Sequence, residues 1–506
     1  MNDNDLGRLS GPALDDALEQ ALGALPPSAE IVRAVTPWRR AMRRILIGFA
    51  LCGVTLNFLA LQYILPAAGL ILQLLGFRAL RREGGCFRAG FLLAALRLGV
   101  VFPQLAINAT VWQQDFADMR PAALLTALAL AAQLAQALCL YGGLRAVRRK
   151  AGLRPGAGAA AALILWYAAI ALLSARGYSG LLFGLPLAAI YGLLLWSLRR
   201  ADRALDDAGY AVAAAPVRLS DRALALLLAA LLLLGVAAGY LFFSRLPMDW
   251  SAAPAACADT AAVRGQLQAL GFPEAALADL SDADVRACRG ALRVTAVVRD
   301  HPVNEGRQVT TRSPAGSVTD TVYDRRELRL SSVAVALPDG RWRIFHHFFW
   351  IAAPGFRGTE ALQLWPACRD GMGWTLDGDW TGRVLCDRGG AALAAPFRRL
   401  GSRSYESGSF FGGASAHSDV FAEFSFPRGA ARCRGYVAYT VAASAPGCII
   451  DSWVNYVHQR SVLQYPVQTA AGFRMRSGMF ASRRVFFTVQ DALQFDPADP
   501  SAAPLG

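Results

Sequence analysis

The sequence predicts an α-helical polytopic membrane domain of about seven spans, followed by an exported β-rich α+β domain with disulfides. Three observations predict it. First, mean hydropathy is +0.33, with 55% hydrophobic and only 17% charged residues. An ordinary soluble domain carries about 25% charged residues, so a fully soluble or largely disordered chain is excluded. Second, every long apolar stretch precedes Leu246 and is bounded by arginine clusters. Third, six of the nine cysteines and all the strand-like alternation follow Pro247.

Charge divides in the same place. Of the +14 on 506 residues, about 24 basic and 13 acidic residues lie before Met248 and about 27 and 24 after it. The basicity therefore belongs to the hydrophobic half, where it signals topology; no nucleic-acid partner is expected. Lys150 is the only lysine among 51 basic residues, a bias that reflects a GC-rich genome more than arginine chemistry.

Residues 1–37 form a cytoplasmic N-terminal segment with no cleavable signal peptide. Leu14, Leu18 and Leu22 repeat at helical spacing behind Asp15, Asp16 and Glu19. That short amphipathic helix either docks a cytoplasmic partner or lies against the domain. The transmembrane domain, 38–246, opens on a 33-residue apolar stretch from Ile45 to Phe77, flanked by Arg39, Arg40, Arg43 and Arg44 and by Arg78, Arg81 and Arg82. Basic clusters at both ends favour one side. A hairpin of two short helices, 39–58 and 60–78, turning near Asn57 to Ala60, satisfies this; one tilted helix is the alternative.

Further spans are expected near 88–110, 121–144, 157–175, 179–198 and 222–243. With the N-terminus inside, about 20 basic residues fall on cytoplasmic segments and only Arg120, Arg176 and Arg245 on external ones. Seven spans then place the domain at 250–506 outside a bacterial plasma membrane. No span centre holds Asp, Glu or Lys, and no His precedes His301. Intramembrane His-dependent, HExxH and paired-aspartate proteases are thereby excluded, and proton-coupled transport is disfavoured. The intramembrane polar candidates are Arg97, Gln104, Asn108, Gln133 and Gln136, with Arg97 the only charge inside a span. An anion or headgroup contact and a structural, snorkelling role both fit Arg97; Gln133 and Gln136 read more naturally as interhelical hydrogen-bonding groups.

After Pro247, Cys257, Cys288, Cys368, Cys386, Cys433 and Cys448 form an even set on the expected outer side. Six cysteines permit 15 pairings. Short loops favour sequential neighbours, 257 with 288, 368 with 386 and 433 with 448. No CxxC spacing occurs, which argues against a zinc ribbon or thioredoxin-type site. Residues 259–289 read as a helical hairpin, with Ser281 and Asp284 in capping-box positions. Strands are expected at 291–299, at 327–337 and 341–351 around the turn Pro338-Asp339-Gly340, and near 418–427, 434–442, 451–458 and 473–489.

His346 and His347, adjacent in a predicted strand, point to opposite faces and cannot chelate one metal together. His417 lies between Ser415 and Asp419, triad residue types without a GxSxG elbow. The Gly, Ser and aromatic-rich stretch 401–418 supplies Tyr405, Phe410, Phe411 and His417 as recognition-loop candidates. No catalytic residue, metal site or cofactor is expected.

The block from Thr36 to Glu83, TPWRRAMRRILIGFALCGVTLNFLALQYILPAAGLILQLLGFRALRRE, resembles a segment of polytopic membrane proteins of clostridia-like Firmicutes. The resemblance implies a multi-span N-terminal region, an exported C-terminal region and a bacterial plasma-membrane location. It implies no activity, substrate or catalytic residue. The expected function is that of an envelope binding or sensing protein whose partners are the lipid bilayer, an extracytoplasmic ligand or protein, and a cytoplasmic partner at residues 1–37. A transporter or accessory transport subunit, and an exported-domain hydrolase, are the alternatives.

Overall fold

The computed structural model describes residues 37–53, 61–176, 181–207, 218–313, 316–408, 414–461, 463–476 and 485–499. The chain divides into a helical unit, up to Ala106 and over Phe116–Gly235, and a β-rich unit made of Ile107–Asp115 and the chain from Val236 onward.

The long helices are α1 (Pro37–Gly53), α2 (Leu61–Leu80) and α3 (Gly85–Ile107); a short α4 (Gln113–Asp118) intervenes; then come α5 (Arg120–Lys150), α6 (Gly158–Ala175), α7 (Leu181–Asp207) and α8 (Asp221–Phe243). A helix thus occupies each interval expected to span. Only four, α2, α3, α5 and α8, are long and apolar enough to cross a membrane among the described residues. Of the other three, α1 is a 17-residue helix carrying Arg39, Arg40, Arg43 and Arg44, the described apolar run of α6 is the shorter Gly158–Leu173, and α7 continues into Arg199, Arg200 and Arg203. The amphipathic segment at Leu14 to Leu22 and the turn near Asn57 to Ala60 lie outside the described residues.

Helices α1 and α2 pack antiparallel through glycines, which let the two backbones approach closely. A Cβ on Gly48 would meet the carbonyl oxygen of Gly69 at 2.6 Å, and one on Gly76 would meet that of Ala41 at 2.8 Å. Ion pairs gather at one end of this unit. Arg44 and Arg78 both reach Asp221, and Lys150 Nζ lies 3.7 Å from Glu83. Trp38, Phe49, Phe77, Phe87, Leu140 and Tyr191 form the centre of its core.

The β-rich unit is a sandwich of two antiparallel sheets. The larger has the order β1-β10-β9-β13-β6-β5-β2, with β8 also on β13. Its strands are β1 (Ser251–Ala252), β2 (Arg293–His301), β5 (Leu328–Ala336), β6 (Trp342–Trp350), β8 (Trp374–Leu376), β9 (Thr381–Arg388), β10 (Ala391–Ala395) and β13 (Ala431–Ala443). The smaller, β11-β12-β7-β14-β15, uses β7 (Glu360–Trp365), β11 (Arg399–Gly408), β12 (Ala414–Phe424), β14 (Ile450–Gln459) and β15 (Phe486–Phe495). A separate hairpin joins β3 (Arg307–Ser313) to β4 (Gly316–Val322).

One core fills the space between the sheets, with Phe348, Trp350, Val384 and Tyr439 from the larger meeting Leu362, Phe424, Tyr456 and Leu493 from the smaller. The outer face of the larger sheet is covered by α9 (Ala261–Ala269), α10 (Glu274–Asp279) and α11 (Asp282–Arg286), whose Leu267, Leu277 and Val285 pack on Val333, Phe345 and Tyr436. The expected helical hairpin is therefore three short helices. Ser281 caps the last of them, accepting from the Asp284 amide at 3.1 Å. The outer face of the smaller sheet is covered by α12 (Ala470–Met475) through Ala470, Ala471 and Phe473. The strand expected at 473–489 is corrected accordingly: Thr469 caps a helix there by accepting from the Gly472 amide, and the strand begins at Phe486.

The disulfide expectation is also corrected: all nine cysteines are free. Loop length does not decide which cysteines meet; sheet topology does. Cys386 on β9 and Cys433 on β13 lie on paired strands within the inter-sheet core. Cys288 is buried instead under the helices, and Cys257 is exposed. The buried thiols act as small apolar residues. Burial pushes Cys386 up to about 11 and Cys433 up to about 12.

Candidate functional site

Of the intramembrane polar candidates, the structure joins Arg97 with Gln136 and adds Gln73, a residue of α2. Arg97 lies 12 residues into α3, about 18 Å along a helix about 35 Å long. It is 9% exposed. Its Nη1 donates to Gln73 Oε1 at 3.0 Å and to Gln136 Oε1 at 2.5 Å. Gln73 Nε2 in turn faces Cys52 Sγ at 3.6 Å. Among the described residues Arg97 makes no ion pair, and Arg97 Nε and Gln136 Nε2 have no hydrogen-bond partner. A guanidinium at this depth is costly, and two amide oxygens offset part of that cost without neutralising the charge. Chemically, the cluster presents unpaired N–H donors and a net positive charge, a combination that favours an anion.

Gln133 belongs to a different chain of hydrogen bonds. Its Nε2 donates to Tyr167 Oη at 2.7 Å, Tyr167 and Tyr191 share a bond of 2.8 Å, and Tyr191 donates to the Phe49 carbonyl at 2.6 Å. This chain ties α5, α6, α7 and α1 together. Gln104 is exposed. Asn108 lies in the β-rich unit, where its carbonyl accepts from the Val467 amide at 2.7 Å. The five candidates therefore do not converge on one site. The signal that would have added Gln73 is its place opposite Arg97 on a neighbouring helix, which spacing along the chain does not carry.

The β-rich unit distributes its candidates differently. Tyr405 and His417 are cross-strand partners on β11 and β12, and their rings stack with centroids 5.4 Å apart. Phe410 and Phe411 lie outside the described residues. His417 and Asp419 fall on one face of β12, but the Asp419 carboxylate accepts from Gln363 Nε2 and Tyr405 Oη, each at 2.6 Å. Arg474 of α12 donates to Gln363 Oε1. The result is a polar brace under α12.

His346 and His347 do point to opposite faces of β6. His346 bridges Ser332 Oγ at 2.8 Å and Ser452 Oγ at 2.7 Å inside the sandwich, where burial pushes its imidazole down to about 4. His347 faces the helices, 2.8 Å from Asp279, which also takes Arg434 at 2.7 Å. Burial pushes the Asp279 carboxyl up, but His347 and Arg434 outweigh it and hold it below its ordinary range. A second buried pair, Arg343 with Asp284, is braced by Thr440, Thr381 and Tyr436. On the opposite sheet His458 lies 2.8 Å from Glu360, whose carboxyl burial raises. These histidines and carboxylates are buried in the core. Among the described residues no group of three or more His, Cys, Asp or Glu could hold a metal ion.

One short loop stands out in this unit. Residues Ile107–Asp115 belong to the β-rich unit although they lie between α3 and α5 in sequence. Asp115 pairs with Arg399 at 2.7 Å, Thr469 donates to Gln114 at 3.2 Å, and the Val111 amide donates to the Phe243 carbonyl at 2.9 Å. The chain matches no family model, no curated protein and no solved structure.

Proposed function

We propose that the protein is an envelope binding or sensing protein: seven helices in the plasma membrane, the N-terminus cytoplasmic, and the β-sandwich outside as the recognition module. The observation that carries this reading is the construction of Ile107–Asp115 into the β-rich unit. An anchor for an exported domain needs one span. Here the chain passes between the units at three points, so three covalent connections link the sandwich to the helices. Coupling of this kind is what a sensor requires.

Two measurements test it. Cys257 is exposed and free, and so is Cys86 at the start of α3. In intact spheroplasts a membrane-impermeant maleimide is expected to label Cys257 and to reach Cys86 only after permeabilisation; the reverse order overturns the orientation. Hydrogen exchange on the full chain in nanodiscs, with and without solubilised cell-wall fragments, is expected to show changed protection at residues 107–115 and 236–246. Fragment binding that leaves both segments unchanged would reduce the helices to an anchor. A second reading, a transport subunit, is favoured by the unpaired donors of Arg97 and Gln136. It predicts that Arg97→Gln abolishes anion flux in proteoliposomes.

A further inference from the structure

We propose that the helical unit holds the phosphate headgroup of an anionic phospholipid in the cleft between the C-terminal ends of α5 and α7 and the start of α6. The proposal rests on the reading of these helices as membrane-embedded. The cleft encloses about 390 Å³ and is lined by Arg148, Gly156, Gly158, Ser197, Leu198 and Arg200 among others. Among the described residues no carboxylate lines it. Arg148 is half-buried, its Nε held 3.0 Å from the Arg154 carbonyl, which fixes the side chain along the rim. Arg200 sits over the ring of Trp196 at 3.6 Å. That tryptophan is 53% exposed.

Depth follows from helix length. The 31 residues of α5 extend about 46 Å, against a hydrocarbon core of about 30 Å. The last turns of α5, with Arg145, Arg148, Arg149 and Lys150, therefore emerge at headgroup level, as do Arg199, Arg200 and Arg203 of α7. A stacked Arg-Trp pair is suited to this boundary, where the ring lies among headgroups and the guanidinium faces phosphate. Below the cleft, Leu165 of α6 and Leu193 of α7 are exposed, apolar surface against which acyl chains can lie. The cleft thus supplies two guanidinium groups and the Ser197 hydroxyl for a phosphodiester, small residues that leave room for it, and an apolar wall for the tails. Basic pockets between helices recognise anionic headgroups by this combination.

The test uses the full chain in phosphatidylcholine nanodiscs containing increasing phosphatidylglycerol, with lipid retention read by native mass spectrometry and thermal stability alongside. Phosphatidylglycerol is expected to be retained selectively and to raise the melting temperature. Arg148→Gln and Arg200→Gln are each expected to weaken retention about fivefold, and the pair about 25-fold, from about 1 kcal/mol per basic residue at the surface. Ser197→Leu, which fills the cleft at constant charge, is expected to weaken it as well. Arg39→Gln with Arg40→Gln, an equal charge loss elsewhere, is expected to leave it unchanged. Equal losses in the Arg39/Arg40 variant would overturn the site in favour of diffuse attraction. Inorganic phosphate displacing phosphatidylglycerol from the wild type at millimolar concentration would overturn the lipid assignment and make this a soluble-phosphate site. Release of the wild-type chain from membranes by alkaline carbonate would instead refute the membrane reading itself.

Discussion

The buried His346 imidazole makes a sharp prediction about acid stability. Its hydrogen bonds to two serines are made equally well by a neutral ring, whereas a charged ring inside the sandwich loses its hydration. Burial moves the group from 6.5 to about 4, a depression opposed only by the Asp491 carboxylate. Between those pH values the unfolded chain binds a proton that the folded one refuses. The stabilisation is therefore complete above pH 6.5 and is lost as pH falls through about 4. The difference between 6.5 and about 4 corresponds to about 3 kcal/mol. Carboxylates such as Asp279 add losses at lower pH, and Glu360 acts in the opposite sense, so the wild type must be compared with His346→Gln. Denaturant unfolding of the full chain in detergent, followed by tryptophan fluorescence from pH 7.5 to 4, is the assay. The variant is expected to be less stable at pH 7.5 but flatter with pH, the gap closing by about 3 kcal/mol at the acid end. Parallel curves would refute the assignment of this acid sensitivity to His346.

Three further outcomes are expected. Gly69→Leu should destabilise the α1–α2 hairpin by about 1–3 kcal/mol, because its Cβ would stand 2.7 Å from the Gly48 carbonyl oxygen; Gly192→Leu, which meets nothing within 4 Å, is the control in the same detergent melt. Tyr191→Phe should cost about 1 kcal/mol by interrupting the chain from Gln133 to the Phe49 carbonyl. Asp284→Ala should cost about 3–5 kcal/mol by leaving buried Arg343 without its carboxylate, and Asp284→Ala with Arg343→Met should recover part of that in urea unfolding.

Features written locally in the chain were legible. The helices follow the apolar runs, the hairpin turn at Pro338-Asp339-Gly340 joins β5 (Leu328–Ala336) to β6 (Trp342–Trp350) within one residue of the expected bounds, and the strand period alone put His346 and His347 on opposite faces. What depended on distant partners was not legible. Gln73 meets Arg97 across 24 residues, and Cys386 and Cys433 are neighbours only because β9 and β13 pair. The segment at 473–489 misled because its apolar residues serve a capping helix before they serve a strand, and Thr469 carries the cap outside the alternating window. Strand β7 escaped notice for a related reason: it is buried on both faces, so its residues do not alternate.

The placement of Ile107–Asp115 also bears on how the molecule is made. Gln114 leaves the ribosome 355 residues ahead of Thr469, and Asp115 leaves 284 residues ahead of Arg399. At about 5–20 residues per second, the longer of these waits lasts roughly 20–70 s. For that interval Gln114 lacks its Thr469 partner, and the β-rich unit cannot close until its C-terminal strands have been synthesised. Chain order and folding order diverge here. A ribosome stalled before Thr469 would hold a finished helical bundle and an unfinished sandwich.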